Sequence, residues 1–232
     1  GFENDIVFRH IGKTGEWDMD VVEIARALCR SGNENIFDIG ANLGYMSLQF
    51  AFMAPRGQVF SWEPHPSNYK LLDMNINNNN ILNVRTFNNA VADEDYTICI
   101  PRFIADNPEK PATPGEDPTP GLKRPSNNGD VAIKTMQLSE IAPELRSLDF
   151  VKIDVQGYEL RVLKSALPLI MQHRPYVVIE FEEWNMKRMK QSYTTIDLVR
   201  YIRNVMHYDV FLISNDYPAD HLLVPNEKVS RF

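Results

Sequence analysis

The sequence predicts an α/β domain in which helices cover both faces of a mostly parallel sheet. Short apolar segments alternate along the chain with segments whose apolar residues recur at helical spacing, the pattern of helices that connect parallel strands. The chain has 232 residues, of which 44% are hydrophobic and 24% are charged. This size and composition are typical of one soluble globular domain. We therefore predict a single domain over residues 1–232, with a helical N-terminal segment over 1–33 and no internal repeat.

The predicted elements begin with a helix over residues 18–30 and then follow in strand–helix order. Val21, Ile24 and Leu28 lie on one face of that first helix, which Gly32 ends. Strands are predicted over 36–39, 58–62, 83–88, 150–155, 176–181, 209–214 and 221–224. Further helices are predicted over 43–54, 66–78, 158–166 and 194–206.

One segment interrupts this alternation. Residues 101–130 hold seven of the fifteen prolines and three glycines, which excludes a regular helix or an interior strand. A connection of this length is consistent either with an insertion that has no role or with a lid or acceptor-binding loop.

Charge and cysteine content narrow the class of partner. The chain has 24 Lys and Arg against 31 Asp and Glu, a formal charge of -7. Proteins that bind a nucleic-acid backbone usually have a basic surplus, so we predict no nucleic-acid partner. Cys29 and Cys99 form no metal-ligand spacing, and no apolar stretch approaches the ~20 residues of a membrane span. The N-terminal residues do not read as a signal peptide. We expect a reducing, cytoplasmic compartment.

The segment Asp38-Ile-Gly-Ala-Asn-Leu-Gly44 leaves the first buried strand, turns and enters a helix. Gly40 can bring a ligand against bare backbone, and the helix N-terminus offers N–H groups to an anionic group. Asn42 tolerates the positive φ that such a turn can require. Glu63, at the end of the second strand, is placed to accept the ribose hydroxyls of a nucleoside.

The same turn favours a nucleoside without phosphates. It lacks the G-x-G-x-x-G spacing that approaches a pyrophosphate, and Asp38 would repel a phosphate. S-adenosylmethionine fits better, because its ammonium would be attracted to an acid and its carboxylate to the helix start. The alternative is a glycine turn beside an unrelated surface acid.

These residues, together with others in the same order and spacing, resemble the FkbM family of S-adenosylmethionine-dependent methyltransferases. The resemblance covers roughly residues 15–181. Its main motifs are Ile36-Phe-Asp-Ile-Gly-Ala-Asn-Leu-Gly-Tyr-Met-Ser47, Trp62-Glu-Pro-His-Pro-Ser-Asn68, Asn89-Ala-Val-Ala-Asp93 and Leu148-Asp-Phe-Val-Lys-Ile-Asp-Val-Gln-Gly-Tyr-Glu159. Gln156 stands where the family usually has Glu, and the Pro-rich segment is longer than the family's usual connection. Both departures concern the acceptor more than the donor.

The resemblance implies a doubly wound, Rossmann-like class I methyltransferase sheet of seven strands, mostly parallel, with a C-terminal antiparallel hairpin. It also implies S-adenosylmethionine as the cofactor, with Glu63 at the ribose. The residues implied at the donor's amino acid end are Asp38, Gly40, Ala41, Asn42 and Gly44, and those beside the adenine are Asn89 and Ala90. Ser47 and His65 are further candidates for this pocket, although His65 could equally be a helix-start residue.

Methyl transfer to a hydroxyl oxygen requires a base that removes the hydroxyl proton. Asp154 is the first candidate because it ends the fourth strand, where a doubly wound sheet opens its ligand crevice. Glu180, at the end of the fifth strand, is the second candidate. Asp154 could instead cap the following helix or, with Glu180, ligate a divalent metal ion. Lys152 lies on the opposite face from Ile153 and is expected to pair with an acid.

The expected acceptor is a sugar hydroxyl of a glycan or another small hydroxylated compound. Gln156 could hydrogen-bond the acceptor, Tyr158 and Trp184 could stack on a sugar ring, and Trp17 could cover the pocket. For each aromatic residue, packing in the core is the more common use. Methylation of RNA or protein and a donor-binding module without catalysis are the alternatives. The acidic charge weighs against RNA, and the intact set of strand-end acids weighs against an inactive module.

Overall fold

Strands and helices alternate in the structure as the sequence predicts. The computed structural model describes residues 6–100, 131–181, 183–188, 191–214 and 219–231, so the predicted insertion over 101–130 lies outside the described residues. The strands are β1 (Asn35–Ile39), β2 (Gln58–Trp62), β3 (Val84–Phe87), β4 (Ala90–Val91), β5 (Thr97–Ile100), β6 (Val131–Met136), β7 (Phe150–Ile153), β8 (Tyr176–Phe181), β9 (Tyr208–Leu212) and β10 (Ala219–Pro225). The helices are α1 (Ile6–Thr14), α2 (Met19–Leu28), α3 (Tyr45–Met53), α4 (Pro66–Asn78), α5 (Glu159–His173), α6 (Glu183–Arg188) and α7 (Thr195–Tyr201).

Seven of these strands form one sheet in the order β3-β2-β1-β7-β8-β10-β9. The first five are parallel to one another, and β10 is antiparallel to both β8 and β9. This confirms the predicted doubly wound sheet with an antiparallel C-terminal hairpin. The strand order changes direction between β1 and β7, and in such sheets the ligand crevice opens beyond the carboxyl ends of the two strands at that point.

Apolar side chains pack against both faces of the sheet. Ile36 packs on one face with Phe50 of α3, whereas Phe37 packs on the other face with Trp62 and with residues of α5. Because burial on both faces removes the need for alternation, these strands are nearly continuous apolar runs. The two-residue period of a strand places Asp38 on the same face as Ile36, toward α3.

Two features of the fold are absent from the sequence prediction. A second sheet has the order β4-β6-β5, and α6 follows β8. Helix α1, by contrast, lies within the N-terminal segment that the sequence predicts to be helical. Helix α5 also continues to His173, although Pro168 lies inside it. Leu169 and Ile170 beyond that proline are buried in the core, so tertiary packing outweighs the missing N–H of the proline.

The ends of two elements also differ from the prediction. Strand β7 stops at Ile153, so Asp154 lies just beyond the strand. The helix predicted over 194–206 is α-helical as far as Tyr201 and continues as a π-turn over Ile202–Met206. None of the helices in the described ranges is long and apolar enough to cross a lipid bilayer.

Candidate functional site

A cavity of about 420 Å³ opens at the carboxyl ends of β1, β7 and β8. This is the position at which the strand order predicts a ligand crevice. Its walls come from the N-terminal segment, the turn between β1 and α3, the residues at the ends of β7 and β8, and α6. The lining residues are Val7, Trp17, Gly40, Ala41, Asn42, Leu43, Tyr45, Met46, Lys152, Asp154, Gln156, Glu180, Trp184 and Asn185.

The turn after β1 is held by the backbone of β2. The N–H groups of Gly40 and Ala41 both donate to the carbonyl oxygen of Trp62, at 3.0 and 2.9 Å. Asn42 has a φ of 50°, which confirms the left-handed conformation predicted for it. The backbone that approaches Gly40 is the carbonyl of Asp154, because a Cβ on Gly40 would lie 1.8 Å from that oxygen. Glycine is therefore required at this position because the protein's own backbone approaches it, and not because a ligand does.

The Glu63 carboxylate links this turn to the start of α4. Its Oε2 accepts a hydrogen bond from the N–H of Asn42 at 2.9 Å, and its Oε1 accepts one from the N–H of His65 at 2.8 Å. Burial raises the pKa of Glu63 to about 7 against the opposing effect of these two N–H groups. Glu63 does not itself line the cavity, but it is bonded to Asn42, which does.

Asp38, which the resemblance implies at the donor's amino acid end, lies beneath the turn and does not line the cavity. The residue is completely buried. Its Oδ2 accepts a hydrogen bond from the Ser47 hydroxyl at 2.5 Å, and its Oδ1 has no hydrogen-bond partner among the described residues. Burial raises the pKa of Asp38, although the Lys152 ammonium and the Ser47 hydroxyl act to lower it.

Lys152 and Asp154 form an ion pair at the floor of the cavity. The Lys152 Nζ lies 3.1 Å from the Asp154 Oδ2, and their side chains are 6% and 30% exposed. Burial acts to lower the pKa of Lys152, but the carboxylates of Asp154, Asp38 and Asp18 raise it above its ordinary value. The amine therefore carries its proton, and the predicted pairing of Lys152 with an acid is confirmed.

The structure excludes one of the alternative roles considered for Asp154, that of a helix cap. Tyr158 precedes the first turn of α5, and no side chain caps it, so Asp154 is not the cap of that helix. Within the described ranges no group of three or more His, Cys, Asp or Glu side chains is placed to hold a metal ion. Asp154 and Glu180 both line the cavity. Asp220 of β10 lies directly opposite Glu180 in the strand register.

The residues predicted on the acceptor side divide into two groups. Gln156 and Trp184 line the cavity, and Trp184 is 55% exposed. Trp17 also lines it and packs edge-on against His10, with the ring centroids 5.5 Å apart. Tyr158, in contrast, is buried in an apolar cluster with Ile98 and Ile133 and does not line the cavity. The structure thus places Tyr158 in the core, where aromatic residues most often pack.

Several predicted donor-side residues do not line the cavity. The Asn89 side chain donates to the Lys134 carbonyl at 3.2 Å, and Ala90 packs beside the Tyr158 cluster. His65 begins α4, where its Nδ1 accepts a hydrogen bond from the N–H of Ser67 at 3.2 Å. This confirms the helix-start interpretation of His65, with the difference that its side chain is buried. Gly44 precedes the first turn of α3 in the left-handed conformation, with a φ of 88°.

Three charged residues near the cavity were not identified as site residues from the sequence. Lys152 lines the cavity. Its position between Val151 and Ile153, near the end of a buried strand, could have identified it as a site residue from the sequence. Burial raises the pKa of Asp18, and burial together with the nearby carboxylate of Asp18 raises the pKa of Asp220 to about 6. Their approach depends on how α2 and β10 pack, which the sequence does not show.

Comparison with known proteins shows which family the chain resembles. A family model described as the methyltransferase FkbM domain matches residues 38–212, which is more than half of the chain. A fungal relative, Methyltransferase 1 of Beauveria bassiana (strain ARSEF 2860), is 23% identical over 143 residues. That match covers 56% of this chain and 57% of the relative.

Solved structures show the same fold. Methyltransferase FkbM from Methylobacillus flagellatus KT has a TM-score of 0.56 at 18% identity. The match covers 83% of this chain and 44% of the Methylobacillus chain. Precorrin-6y C5,15-methyltransferase from Geobacter metallireducens GS-15 has a TM-score of 0.52 at 11% identity, with 91% of this chain and 90% of that one covered. A Streptococcus mutans protein in complex with SAH has a TM-score of 0.50 at 9% identity, with 87% and 95% covered.

Proposed function

Because the chain belongs to the methyltransferase FkbM family, we propose that it transfers a methyl group from S-adenosylmethionine to a hydroxyl of a sugar in a glycan or of another small acceptor. The observation that carries this proposal is the position of the Asp154 carboxylate. It lies in one cavity with the glycine turn and with the exposed ring of Trp184. A donor-side turn, a base and an acceptor platform thus share one crevice.

The residues around the turn fit the chemical groups of the donor. The first turn of α3, at Tyr45 and Met46, lines the cavity and offers backbone N–H groups to a carboxylate. The completely buried Asp38 Oδ1 has no hydrogen-bond partner among the described residues and leaves a polar acidic group beneath the turn. Glu63 is bonded to the turn and retains lone pairs for ribose hydroxyls. When bound, S-adenosylmethionine supplies an electrophilic methyl group on a positively charged sulfur.

Asp154 is the proposed general base. A sugar hydroxyl is a weak nucleophile, so its proton must be removed as the oxygen–carbon bond forms. Asp154 lines the cavity with one carboxylate oxygen held by Lys152, which orients the side chain. Glu180, which also lines the cavity, is the second candidate for the base. Most of the acceleration would come from holding the hydroxyl and the methyl group in line.

The walls opposite the turn suit a neutral hydroxylated ring. Trp184 presents a large exposed aromatic surface at the cavity, and aromatic rings stack on the apolar face of sugars. The side chain of Gln156 is exposed there and can both donate to and accept from acceptor hydroxyls. The carboxylates of Asp154 and Glu180 at the same cavity disfavour an anionic acceptor such as a phosphate ester.

The proposal is tested first by donor binding and then by turnover. Isothermal titration with S-adenosylhomocysteine should give a saturable single site. Transfer of a labelled methyl group from S-adenosylmethionine is then measured on a panel of neutral oligosaccharides, sugar phosphates, RNA and peptides. We expect label in the neutral oligosaccharides. Label found only in RNA or in peptide would show that the acceptor is RNA or protein and not a sugar. Donor binding without any transfer would identify a donor-binding module.

We also propose a reducing, cytoplasmic compartment, with which the buried free thiol of Cys29 is consistent.

A further inference from the structure

We propose that Lys152 is a positioning residue for methyl transfer, whose buried ammonium fixes the Asp154 carboxylate so that one oxygen faces the acceptor hydroxyl. This inference rests on the proposed function, because it assigns Asp154 the role of base. It adds a group that does not touch the reacting atoms and acts through Asp154. The experiment below is therefore chosen so that the two proposals can fail separately.

Lys152 occupies an unusual place for a lysine. It lies inside β7, between β1 and β8, with Asp38 beside it in the register of β1 and Val178 beside it in β8. The residue is only 4% exposed. A lysine is almost never so buried unless it is paired, and its Nζ lies 3.1 Å from the Asp154 Oδ2.

The ion pair constrains Asp154 in a particular way. Nζ holds Oδ2 from below, while the Asp154 side chain is 30% exposed and lines the cavity. The backbone of Asp154 is fixed as well, because its N–H donates to the Ile39 carbonyl at 3.0 Å. With the backbone and Oδ2 both held, the carboxylate has one remaining oxygen, Oδ1, for a hydroxyl in the cavity.

The charges around Lys152 come from several elements. The carboxylates of Asp38 in β1, Asp154 beyond β7 and Asp18 before α2 raise the pKa of its ammonium. The ammonium in turn acts to lower the pKa of Asp220 in β10. Glu180 lines the same cavity. Lys152 is the cation at the centre of this group of carboxylates, which would otherwise repel one another in a poorly solvated site. Removing the ammonium should therefore displace the carboxylate of Asp154, which is the more exposed partner of the ion pair.

The proposed step is balanced without a change at Lys152. The acceptor oxygen forms its bond to the methyl carbon as the carbon–sulfur bond breaks, and the bonding pair stays on sulfur. The hydroxyl proton passes to Asp154 Oδ1. The ammonium keeps its three protons and its contact with Oδ2 throughout, so its contribution is orientation and charge balance.

A double-mutant cycle tests the inference. Lys152→Met, Asp154→Asn and the double variant are compared with wild type by kcat and KM on the best oligosaccharide of the panel, and by the Kd for S-adenosylhomocysteine. Lys164→Met, a change of an exposed lysine on α5, is the matched control. We expect Lys152→Met to lower kcat about tenfold or more, with the donor Kd within about twofold. In the Asp154→Asn background the same change should have little further effect.

Each other outcome contradicts the inference. Equal losses from Lys152→Met in both backgrounds would show that Lys152 acts independently of Asp154. Loss of donor binding with an unchanged kcat would make Lys152 a donor contact. If Lys152→Met does not fold, Lys152→Gln, which can still donate to Oδ2, replaces it in the cycle. Failure of both to fold would show a purely structural role.

The same set of variants distinguishes the two proposals. Wild-type turnover in Asp154→Asn would reject the proposed base, whatever Lys152 does. A large loss in Asp154→Asn with no loss in Lys152→Met would reject only the positioning role. A crystal structure of Lys152→Met gives a readout without an acceptor, since we expect the Asp154 carboxylate to leave its present position. An unchanged carboxylate in that structure would contradict the inference.

Discussion

The backbone carbonyl oxygen of Asp154 lies where a side chain on Gly40 would begin. A Cβ built on Gly40 would be 1.8 Å from this oxygen, and Gly40 has a φ of 89°. One hydrogen bond beyond β7, from the N–H of Asp154 to the Ile39 carbonyl, keeps the two strand ends in register. The donor-side turn and the proposed base are therefore packed backbone to backbone. A change in the position of one must move the other.

Gly40→Ala should destabilise the protein. A Cβ would clash with a backbone atom that cannot rotate away, and alanine would be held at a positive φ. We expect a loss of at least about 2 kcal/mol in the free energy of unfolding, measured by urea denaturation. Gly12→Ala in α1 is the control, because nothing lies within 4 Å of its Cβ and alanine favours a helix by roughly 0.5–1 kcal/mol. Equal stability of both variants would contradict the close approach at Gly40.

Glu63→Ala should weaken donor binding. The substitution removes the acceptor for the N–H groups of Asn42 and His65 and the proposed acceptor for the ribose hydroxyls. We expect a loss of about 1–3 kcal/mol in the binding free energy of S-adenosylhomocysteine, measured by titration calorimetry. Glu63→Gln keeps one carbonyl oxygen and should fall between Glu63→Ala and wild type. An unchanged Kd in Glu63→Ala would reject the ribose role.

The pKa of Glu63 predicts how stability changes with pH. Burial raises this pKa from 4.5 to about 7 in the folded protein. The folded state then holds a proton that the unfolded state has already released, so this contribution to stability is complete below pH 4.5 and is lost as pH rises through 7. As pH rises from 5 to 7, the free energy of unfolding of wild type should fall relative to that of Glu63→Gln. Urea denaturation midpoints of both proteins at each pH measure this difference.

The comparison with Glu63→Gln is needed because other acids titrate in this range. Burial also raises the pKa of Asp220, to about 6, and its contribution has the same sign. Asp220 is present in both proteins, so it largely cancels in their difference. Parallel pH profiles for wild type and Glu63→Gln would show that Glu63 does not hold a raised pKa.

Asp154→Asn should lower turnover at least about a hundredfold, because an amide cannot take up the hydroxyl proton. The donor Kd should stay within about twofold, since no donor-side bond of the turn is changed. The thermal midpoint should also fall, because the buried Lys152 ammonium loses its charged partner. Methyl transfer on the acceptor panel measures the first effect, and turnover at the wild-type rate would remove Asp154 from the mechanism.

Trp184→Ala should raise the acceptor KM and leave the donor Kd unchanged. The ring lines the cavity and is 55% exposed, and an aromatic contact contributes about 0.5–1.5 kcal/mol beyond its buried area, or roughly a 2- to 13-fold change in KM. Ile196→Ala on α7, where the side chain is 63% exposed, is the control for removing exposed apolar surface. A KM unaffected by Trp184→Ala would place the acceptor elsewhere.

The positions of the main strands along the chain were predictable because they follow from local pattern and known motifs. Continuous apolar runs identified β1, β2, β7 and β8, and the glycine turn with Asn42 identified the donor side. Strand β4 and helix α6 were not predictable, since two and six residues are too few for a periodic signal. Helix α5 shows the opposite case, in which burial of Leu169 and Ile170 extends a helix past Pro168.

The sequence by itself determined the fold class, the crevice side of the sheet and the acids at its strand ends, because these depend on residue types at regular spacing. Only the tertiary structure decided which side chains meet in the cavity. It buried Asp38 and Tyr158, and it brought Lys152 to Asp154. It also set Asp220 opposite Glu180. Contacts between strands far apart in the chain depend on register and packing, and these are fixed only when the whole core is assembled.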